Sequence, residues 1–234
     1  MNELKDKAAI ITGGGYGIGR EIAFAYGRAG AKVVIAARSE KPIQETVEAL
    51  KKIGAAAIPL RTDVSKEADC VRMAEETLLS RVPVAPANVF RIPAENPDAG
   101  AAAAAYEQML RKFFALQAGA FPRFDLILLG MGPDGHAASL FPGTAALKEK
   151  SRLVVANWVE KFKTFRITLT LPVLNAAHCV VFLVSGTEKA AALHEVLQTD
   201  APGEQYPSKL VRPTDGRLIW LVDRAAASGL QLST

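Results

Sequence analysis

The sequence predicts an α/β fold: a Rossmann-like, doubly wound, mainly parallel sheet with helices on both faces, in three layers. Two observations indicate this fold. Short apolar runs such as Lys32–Ala37 alternate with segments of helical periodicity. A glycine-rich turn, Gly13–Gly19, joins the first apolar run to the first helical segment. Of the 234 residues, 50% are hydrophobic and 22% are charged, a balance typical of a globular protein that buries a core.

The first 80 residues contain three predicted strand–helix pairs. Strands joined in this order by helices form a parallel sheet with right-handed crossovers. The apolar stripe of the second helix includes Val47, Leu50 and Ile53, and Gly54 ends that helix. The first predicted strand ends at Thr12, and the next two span Lys32–Ala37 and Ala55–Leu60. The first predicted helix follows Gly19, the second follows Pro42 and the third spans Lys66–Ser80.

The glycine-rich turn has the chemistry of a nucleotide-phosphate site. Glycines allow positive φ and let the backbone approach a ligand closely. The first N–H groups of the next helix have no helical partner, and the helix dipole favours an anion there. A glycine-rich turn that binds nothing is the alternative.

The motif TGGGYGIG resembles the cofactor turn TGxxxGIG of the short-chain dehydrogenase/reductase family, and the resemblance covers about residues 1–70. Arg38 and Ser39 follow Ala37, the place where an acidic residue would select NAD, so the resemblance implies NADP(H). Asp63 and Val64 match the pair that contacts adenine. The implied cofactor-binding residues are Gly13, Gly15, Tyr16, Gly17, Ile18, Gly19, Arg38, Ser39, Asp63 and Val64.

The acid/base pair of that family, Tyr-x-x-x-Lys, is missing from the sequence. Tyr106 is followed four residues later by Leu110, and Tyr206 by Leu210, while Lys209 lies one residue too early. Hydride transfer needs a positioned proton donor. We therefore expect no oxidoreductase activity.

The rest of the chain continues the alternation of strands and helices. One strand, Phe124–Leu129, leads into the loop Gly130–Gly143, which places His136 on a glycine-rich turn. An imidazole in such a place can face a cleft and act near neutral pH. The other predicted strands are Asn88–Pro93, Val154–Val159, Arg166–Leu171, Val180–Ser185 and Leu218–Val222, and the predicted helices follow Asn96 or span Pro172–Ala177 and Glu188–Gln198.

From about Arg72 to the end, the sequence resembles the 6-phosphogluconolactonases, most clearly in FDLILLGMGPDGHAASLFPG and FRITLTLPVLNAAHCVVFLVSGTEKAAALHEVL. The resemblance implies that His136 is the general base on the water that opens a sugar lactone, with Asp134 beside it. It implies that Arg166 and Lys189 contact phosphate or carboxylate. The family's usual Gly-His-Thr-Ala-Ser has Ala137 in its third place, and its first phosphate loop and Asp-Glu-Arg segment are missing.

Composition narrows the range of partners. The net charge of +4 comes from scattered Lys and Arg side chains, so we expect no nucleic-acid partner. Neither a signal-peptide layout nor an apolar run as long as a membrane span occurs, so we expect a cytoplasmic protein. Cys70 and Cys179 fit no metal or redox motif, so we expect free thiols and no metal.

The two resemblances meet between Asp63 and Met73, and each stops short of its own catalytic complement. The sequence therefore predicts a chimera, with residues 1–70 and 71–234 sharing one domain, 1–234. An engineered origin is the simplest explanation, and a natural lineage is the alternative. The first functional hypothesis is a scaffold that binds NADP(H) weakly and has no evolved activity. The alternative hypothesis is a sugar-lactone hydrolase that acts on a phosphosugar. A third hypothesis is a purely structural protein that binds no ligand. The oligomeric state stays open.

Overall fold

The computed structural model describes residues 4–5, 8–62, 67–77, 79–82 and 84–231. It divides the chain into two compact units, Met1–Phe90 and Arg91–Thr234, called here the first and the second unit. Parallel sheets that alternate along the chain with helices confirm the predicted α/β class. The single domain 1–234, with its fragments 1–70 and 71–234, stays a prediction.

The first unit is a three-stranded parallel sheet with a helix after each strand. The sheet order is β1-β2-β3, and Val33 in the middle strand lies opposite Ala9 on one side and Ala57 on the other. The elements are β1 (Ala8–Thr12), α1 (Gly17–Arg28), β2 (Lys32–Ala37), α2 (Glu40–Lys52), β3 (Ala57–Arg61) and α3 (Glu67–Thr77).

The core of the first unit forms where β2 meets the apolar stripe of α2. Val33 and Ile35 are buried in the sheet, and Val47 and Leu50 cover them from the helix. This matches the predicted stripe except at its end. Ile53 is 46% exposed because α2 ends at Lys52, so Ile53 lies past the last helical turn.

The second unit has a three-stranded parallel sheet, ordered β4-β7-β8, and an antiparallel hairpin, β5-β6. In its core Phe182 and Trp220 stack with ring centroids 4.0 Å apart. Its elements are α4 (Ala99–Phe113), β4 (Ile127–Gly130), β5 (Val154–Val159), β6 (Thr164–Leu169), α5 (Leu171–Asn175), β7 (Cys179–Val184), α6 (Ala190–Gln198) and β8 (Arg217–Val222).

The predicted strand Asn88–Pro93 is wrong. Pro86–Asn88 form a 3₁₀ turn, and Arg91 pairs with Glu95 four residues later, with Nη2 and Oε1 2.6 Å apart. The apolar residues Val89, Phe90 and Ile92 favour a strand, but Pro93 has no backbone N–H to donate to a neighbouring strand. The chain turns here instead.

A buried carboxylate, Glu107, fastens α4 to the start of β5. Its Oε2 accepts hydrogen bonds from the Arg152 side chain at 2.8 Å and from the backbone N–H of Leu153 at 3.0 Å and of Val154 at 3.3 Å. Its Oε1 accepts from Arg111 at 3.0 Å. Burial raises the pKa of this carboxyl, but the bonds outweigh that effect and hold the pKa below its usual range.

Among the described residues, no helix has the length and apolar character needed to cross a membrane.

Candidate functional site

The loop after β4 folds back on itself so that His136 lies beside Gly132. The Gly132 N–H donates to the His136 carbonyl at 2.9 Å, and the Gly135 N–H donates to the Gly132 carbonyl at 3.0 Å. Met131 and Ala137 form an antiparallel bridge just outside this turn. Because β4 ends at Gly130, the turn presents its side chains at the carboxyl end of a parallel sheet, where α/β proteins bind ligands.

Two glycines of this loop have no room for a side chain. A Cβ on Gly132 would collide with the His136 ring and lie 2.7 Å from Asp134 Oδ1. Gly135 has φ +73°, and a Cβ there would come within 2.8 Å of the Tyr206 ring. These glycines let the loop bring Asp134 and His136 together.

Asp134 and His136 form a close pair, with Oδ1 and Nδ1 2.5 Å apart. Both side chains are about one quarter exposed, at 27% and 24%. Partial burial raises the pKa of the Asp134 carboxyl, but hydrogen bonding from His136 and its charge hold that pKa below the usual range. An ionised Asp134 accepts the Nδ1 proton, so the lone pair of a neutral His136 lies on Nε2.

The ring of Phe141 fixes the imidazole from one face. The two rings stack with centroids 4.0 Å apart and an interplanar angle of 29°. Rotation of the ring out of its plane breaks both contacts, and a half-turn within the plane breaks the bond between Nδ1 and Asp134. His136 therefore presents Nε2 as a base in a defined direction.

The turn of the β5-β6 hairpin brings cations to this pair. Lys161 Nζ lies 3.5 Å from Asp134 Oδ2, the oxygen that His136 does not use. Arg166 lies over the ring of Phe162 at 5.6 Å, and that ring meets Phe141 edge-on at 5.7 Å. The structure thus connects Arg166 to the site through two aromatic rings, while Lys161 touches it directly.

Polar side chains from the hairpin hold the loop in place. The buried amide of Asn157 donates to the Ser139 carbonyl at 2.9 Å and to Thr144 Oγ1 at 3.0 Å. The buried hydroxyl of Thr168 accepts from the Ser139 N–H at 3.2 Å. The loop is therefore fixed both after β4 and along the hairpin.

A cavity of about 670 Å³ opens between this loop and the hairpin. Its volume lies within the range of small-molecule sites, about 300–1,000 Å³. Its lining includes Asp134, Phe141, Asn157, Trp158, Lys161 and Phe165. The cavity joins the carboxylates of Asp134 and Glu160, the cation of Lys161 and aromatic faces in one space.

Lys189 lies elsewhere in the second unit, directly before α6. Its Nζ is 3.9 Å from Glu188 Oε1, and the side chain is mostly buried. Within the described residues it shares no hydrogen bond or ion pair with Asp134 or His136. Its predicted role as a phosphate contact stays a prediction.

The backbone conformation and close packing of the glycine-rich turn in the first unit account for its glycines. Gly13 and Gly17 have φ of +71° and +47°, and a Cβ on Gly19 would come within 2.6 Å of the Gly13 carbonyl oxygen. A Cβ on Gly15 would meet Pro42 at 3.0 Å. These constraints account for the glycines whether or not a ligand binds.

The other residues assigned to a cofactor surround this turn or lie outside the described residues. Tyr16 is exposed and precedes α1, and the backbone of Ile18 is in its first turn. Arg38 and Ser39 are exposed between β2 and α2, and the Arg38 carbonyl accepts from Arg61. Asp63 and Val64 lie outside the described residues.

Among the described residues, no three His, Cys, Asp or Glu side chains converge as a metal site requires. Cys179 is buried in β7 with its thiol free.

Glu149 stabilises the turn between the loop and β5 by accepting hydrogen bonds from the residues that follow it. Its Oε1 accepts from the backbone N–H of Lys150, Ser151 and Arg152 and from the Ser151 hydroxyl, all at 2.7–2.9 Å. The bonds from Arg152 and Ser151 are the main reason that the pKa of Glu149 falls from 4.5 to about 2. The charged form is therefore the one that the folded state stabilises.

We expect Glu149→Gln to lower the free energy of unfolding by about 1–2 kcal/mol at pH 7, because bonds to a charged acceptor are lost. Because the pKa of Glu149 is lowered in the folded state, this stabilisation is fully present above pH 4.5 and is lost as the pH falls towards about 2. Urea unfolding across that pH range should show the two proteins converging. Ser151→Ala, which removes one of the bonds to this carboxylate, should give a smaller difference that also declines at low pH. A difference for Glu149→Gln that does not change with pH would contradict the assignment.

Two family models match the chain. The model for glucosamine-6-phosphate isomerases/6-phosphogluconolactonase matches residues 62–220, and the short chain dehydrogenase model matches residues 7–84. The two matches overlap at 62–84, across the region where the two resemblances meet. Both resemblances therefore correspond to real family matches.

Curated relatives resemble the larger part of the chain. A 6-phosphogluconolactonase of Synechocystis sp. is 44% identical over 160 residues, which are 68% of this chain and 65% of that protein. One of Nostoc sp. is 42% identical over 161 residues, 69% of this chain and 65% of that protein. One of Homo sapiens is 44% identical over 151 residues, 64% and 57% of the two chains. The chain thus spans less than two thirds of the length of these relatives.

Solved structures resemble almost the whole chain. The devB protein has a TM-score of 0.62 at 26% identity and covers 91% of this chain and 93% of its own. A 6-phosphogluconolactonase from Thermotoga maritima has a TM-score of 0.54 at 26% identity, with 92% and 98% covered. Both support the α/β fold.

These findings correct the main functional expectation. An engineered chimera with no evolved activity is contradicted by identities of 42–44% to curated enzymes over about 160 residues. The structural likeness, which extends over 91–92% of the chain, contradicts it as well. The matches favour the alternative reading, and none of them supports binding of NADP(H).

Proposed function

Since the chain belongs to the family of glucosamine-6-phosphate isomerases and 6-phosphogluconolactonases, we propose that it hydrolyses a phosphorylated sugar lactone. The observation that carries the proposal is the Asp134–His136 pair, held at 2.5 Å beside a cavity of about 670 Å³. The curated relatives at 42–44% identity are named for this hydrolysis, which favours it over the isomerase activity of the family.

His136 acts as the general base in this proposal. Its Nε2 takes a proton from water as the water oxygen attacks the lactone carbonyl. The bond between the carbonyl carbon and the ring oxygen then breaks, and the proton passes to that oxygen. The products are a carboxylic acid and a hydroxyl, and water is the only co-reactant.

Asp134 orients His136 and stabilises the imidazolium that forms after the proton transfer. Its carboxylate is 2.5 Å from Nδ1 and stays ionised because its pKa is lowered. The stacking of Phe141 prevents the ring from turning away. Assistance by a positioned base is worth about 10²–10⁴-fold in rate.

The phosphate of the substrate needs cations at the rim of the cavity. Lys161 lines the cavity, and Arg166 lies over the ring of Phe162, which contacts the cavity-lining ring of Phe141. In this proposal Arg166 and Lys161 contact the phosphate, and Lys189 is a further contact that the family resemblance supplies. A nucleotide cofactor has no part in this chemistry.

The test is an assay of the purified full chain with 6-phosphogluconolactone, with the uncatalysed hydrolysis subtracted. We expect saturable hydrolysis that is at least about 10-fold more efficient than with gluconolactone, because the missing phosphate removes charge-assisted contacts. Glucosamine 6-phosphate is the comparison substrate for the other family activity. Isomerisation of that sugar without lactone hydrolysis, or activity towards neither substrate, would overturn the proposal.

A further inference from the structure

Two exposed aromatic side chains face the cavity from neighbouring strands of the hairpin. Trp158 on β5 and Phe165 on β6 are directly opposite each other in the antiparallel register. Their ring centroids are 5.1 Å apart at an angle of 66°. Trp158 is 44% exposed and Phe165 53%, and both line the cavity. We call this pair the aromatic wall.

The polar edge of Trp158 is already engaged, so its orientation is fixed. The indole Nε1–H donates to Glu160 Oε2 at 2.8 Å, and Glu160 also pairs with Lys163. The bonds from Lys163 and Trp158 lower the pKa of Glu160, which keeps this acceptor charged. The face of the indole remains as its free binding surface, and a fixed side chain loses little freedom when a ligand packs on it.

We propose that the aromatic wall stacks against the apolar face of the ring of a sugar that carries an anionic group. The C–H bonds of such a ring point positive hydrogens at the negative face of an aromatic ring. Lys161 lines the same cavity and supplies the cation for the anionic group, and Asp134 marks the reacting end. The inference rests on the proposed function for the identity of the substrate.

A structural role for the aromatic wall makes a different prediction. Cross-strand aromatic pairs stabilise hairpins without any ligand. If that were the whole role, replacing Trp158 would lower the melting temperature and leave ligand affinity unchanged in the folded protein. Affinity and stability must therefore be measured separately.

The binding probe is glucose 6-phosphate, which has the ring and the phosphate but no lactone to hydrolyse. Its affinity is measured by calorimetry for the wild type, Trp158→Ala, Trp158→Phe and Phe165→Leu. We expect about a 10-fold loss for Trp158→Ala, a several-fold loss for Phe165→Leu and near wild-type affinity for Trp158→Phe, in line with the worth of an aromatic contact. Phe113→Ala, an equally exposed ring on α4 outside the cavity lining, is the matched control and should bind as the wild type does.

Tryptophan fluorescence gives a second readout. The chain has two tryptophans, and Trp220 lies in the core against Phe182. Glucose 6-phosphate should change the emission of the wild type and not that of Trp158→Phe, although that variant still binds. Trp158→Ala should also raise KM for 6-phosphogluconolactone about 10-fold while kcat changes less than about two-fold.

The two proposals fail in different ways. Wild-type protein without lactonase activity overturns the proposed function, and glucose 6-phosphate still tests the aromatic wall. Unchanged affinity and KM in Trp158→Ala, in a folded and active protein, overturn the aromatic wall alone. Equal binding of inorganic phosphate and glucose 6-phosphate overturns it too, because the ring would then contribute nothing.

Discussion

Replacing His136 with alanine is expected to lower kcat/KM for 6-phosphogluconolactone by about 10²–10⁴-fold, which is the usual worth of a general base. The substitution removes Nε2, the nitrogen that is left free when Asp134 engages Nδ1 at 2.5 Å. It leaves Lys161 and Arg166 in place, so KM should change little while kcat falls. Steady-state kinetics with subtraction of uncatalysed hydrolysis measures both constants.

Two further variants show whether the loss of kcat/KM comes from the Asp134–His136 pair. Asp134→Asn keeps the shape, but its amide N–H can donate to Nδ1 and leave the proton on Nε2, so we expect a loss of up to about 10⁴-fold, as large as that of His136→Ala. His194→Ala removes an imidazole on α6 that bonds only to Gln198 among the described residues, and its rate should equal that of the wild type. Equal rates for His136→Ala and the wild type would show that another group is the base.

Replacing Glu107 with alanine is expected to lower the free energy of unfolding of the second unit by about 2–4 kcal/mol. The carboxylate accepts from two side chains and from the backbone N–H groups of Leu153 and Val154, which are buried. Arg111 and Arg152 are partly exposed and can regain water, whereas the two backbone donors cannot. The loss therefore comes mainly from these unpaired N–H groups.

Urea unfolding followed by tryptophan emission measures this effect, since both tryptophans lie in the second unit. Gln108→Ala, the exposed neighbour on the same helix, controls for changes in helix propensity. The pKa of Glu107 is lowered in the folded state, so its stabilisation should be present at neutral pH and fall as the pH drops below the usual glutamate range. A Glu107→Ala protein as stable as Gln108→Ala would refute the role of this carboxylate.

Local sequence patterns predict the structural elements that are determined by neighbouring residues in the chain. The strands around Lys32–Ala37 and the loop that carries Asp134 and His136 follow from short apolar runs and from glycines at fixed places. The strand at Asn88–Pro93 failed because an apolar run does not reveal whether a partner strand is within reach. The same limit hid Glu107, which has the sequence appearance of a surface residue on a helix.

Contacts between distant segments could not be predicted from the sequence. Lys161 reaches Asp134 only because the β5-β6 hairpin turns beside the loop, and no motif marks that position. Trp158 and Phe165 become neighbours only through the hairpin register. The functional expectation is wrong for another reason: a missing motif does not establish a missing activity, and relatives at 42–44% identity are curated 6-phosphogluconolactonases.

The bonds from Asn157 and Thr168 to the loop have a thermodynamic consequence. They order the loop when the chain folds, so the entropy of fixing it is lost before any ligand arrives. A ligand then meets a site that is already in its working geometry, and its binding energy is not spent on arranging Asp134 and His136. Preorganisation of the base is thus supplied by an amide and a hydroxyl that belong to the hairpin and not to the Asp134–His136 pair.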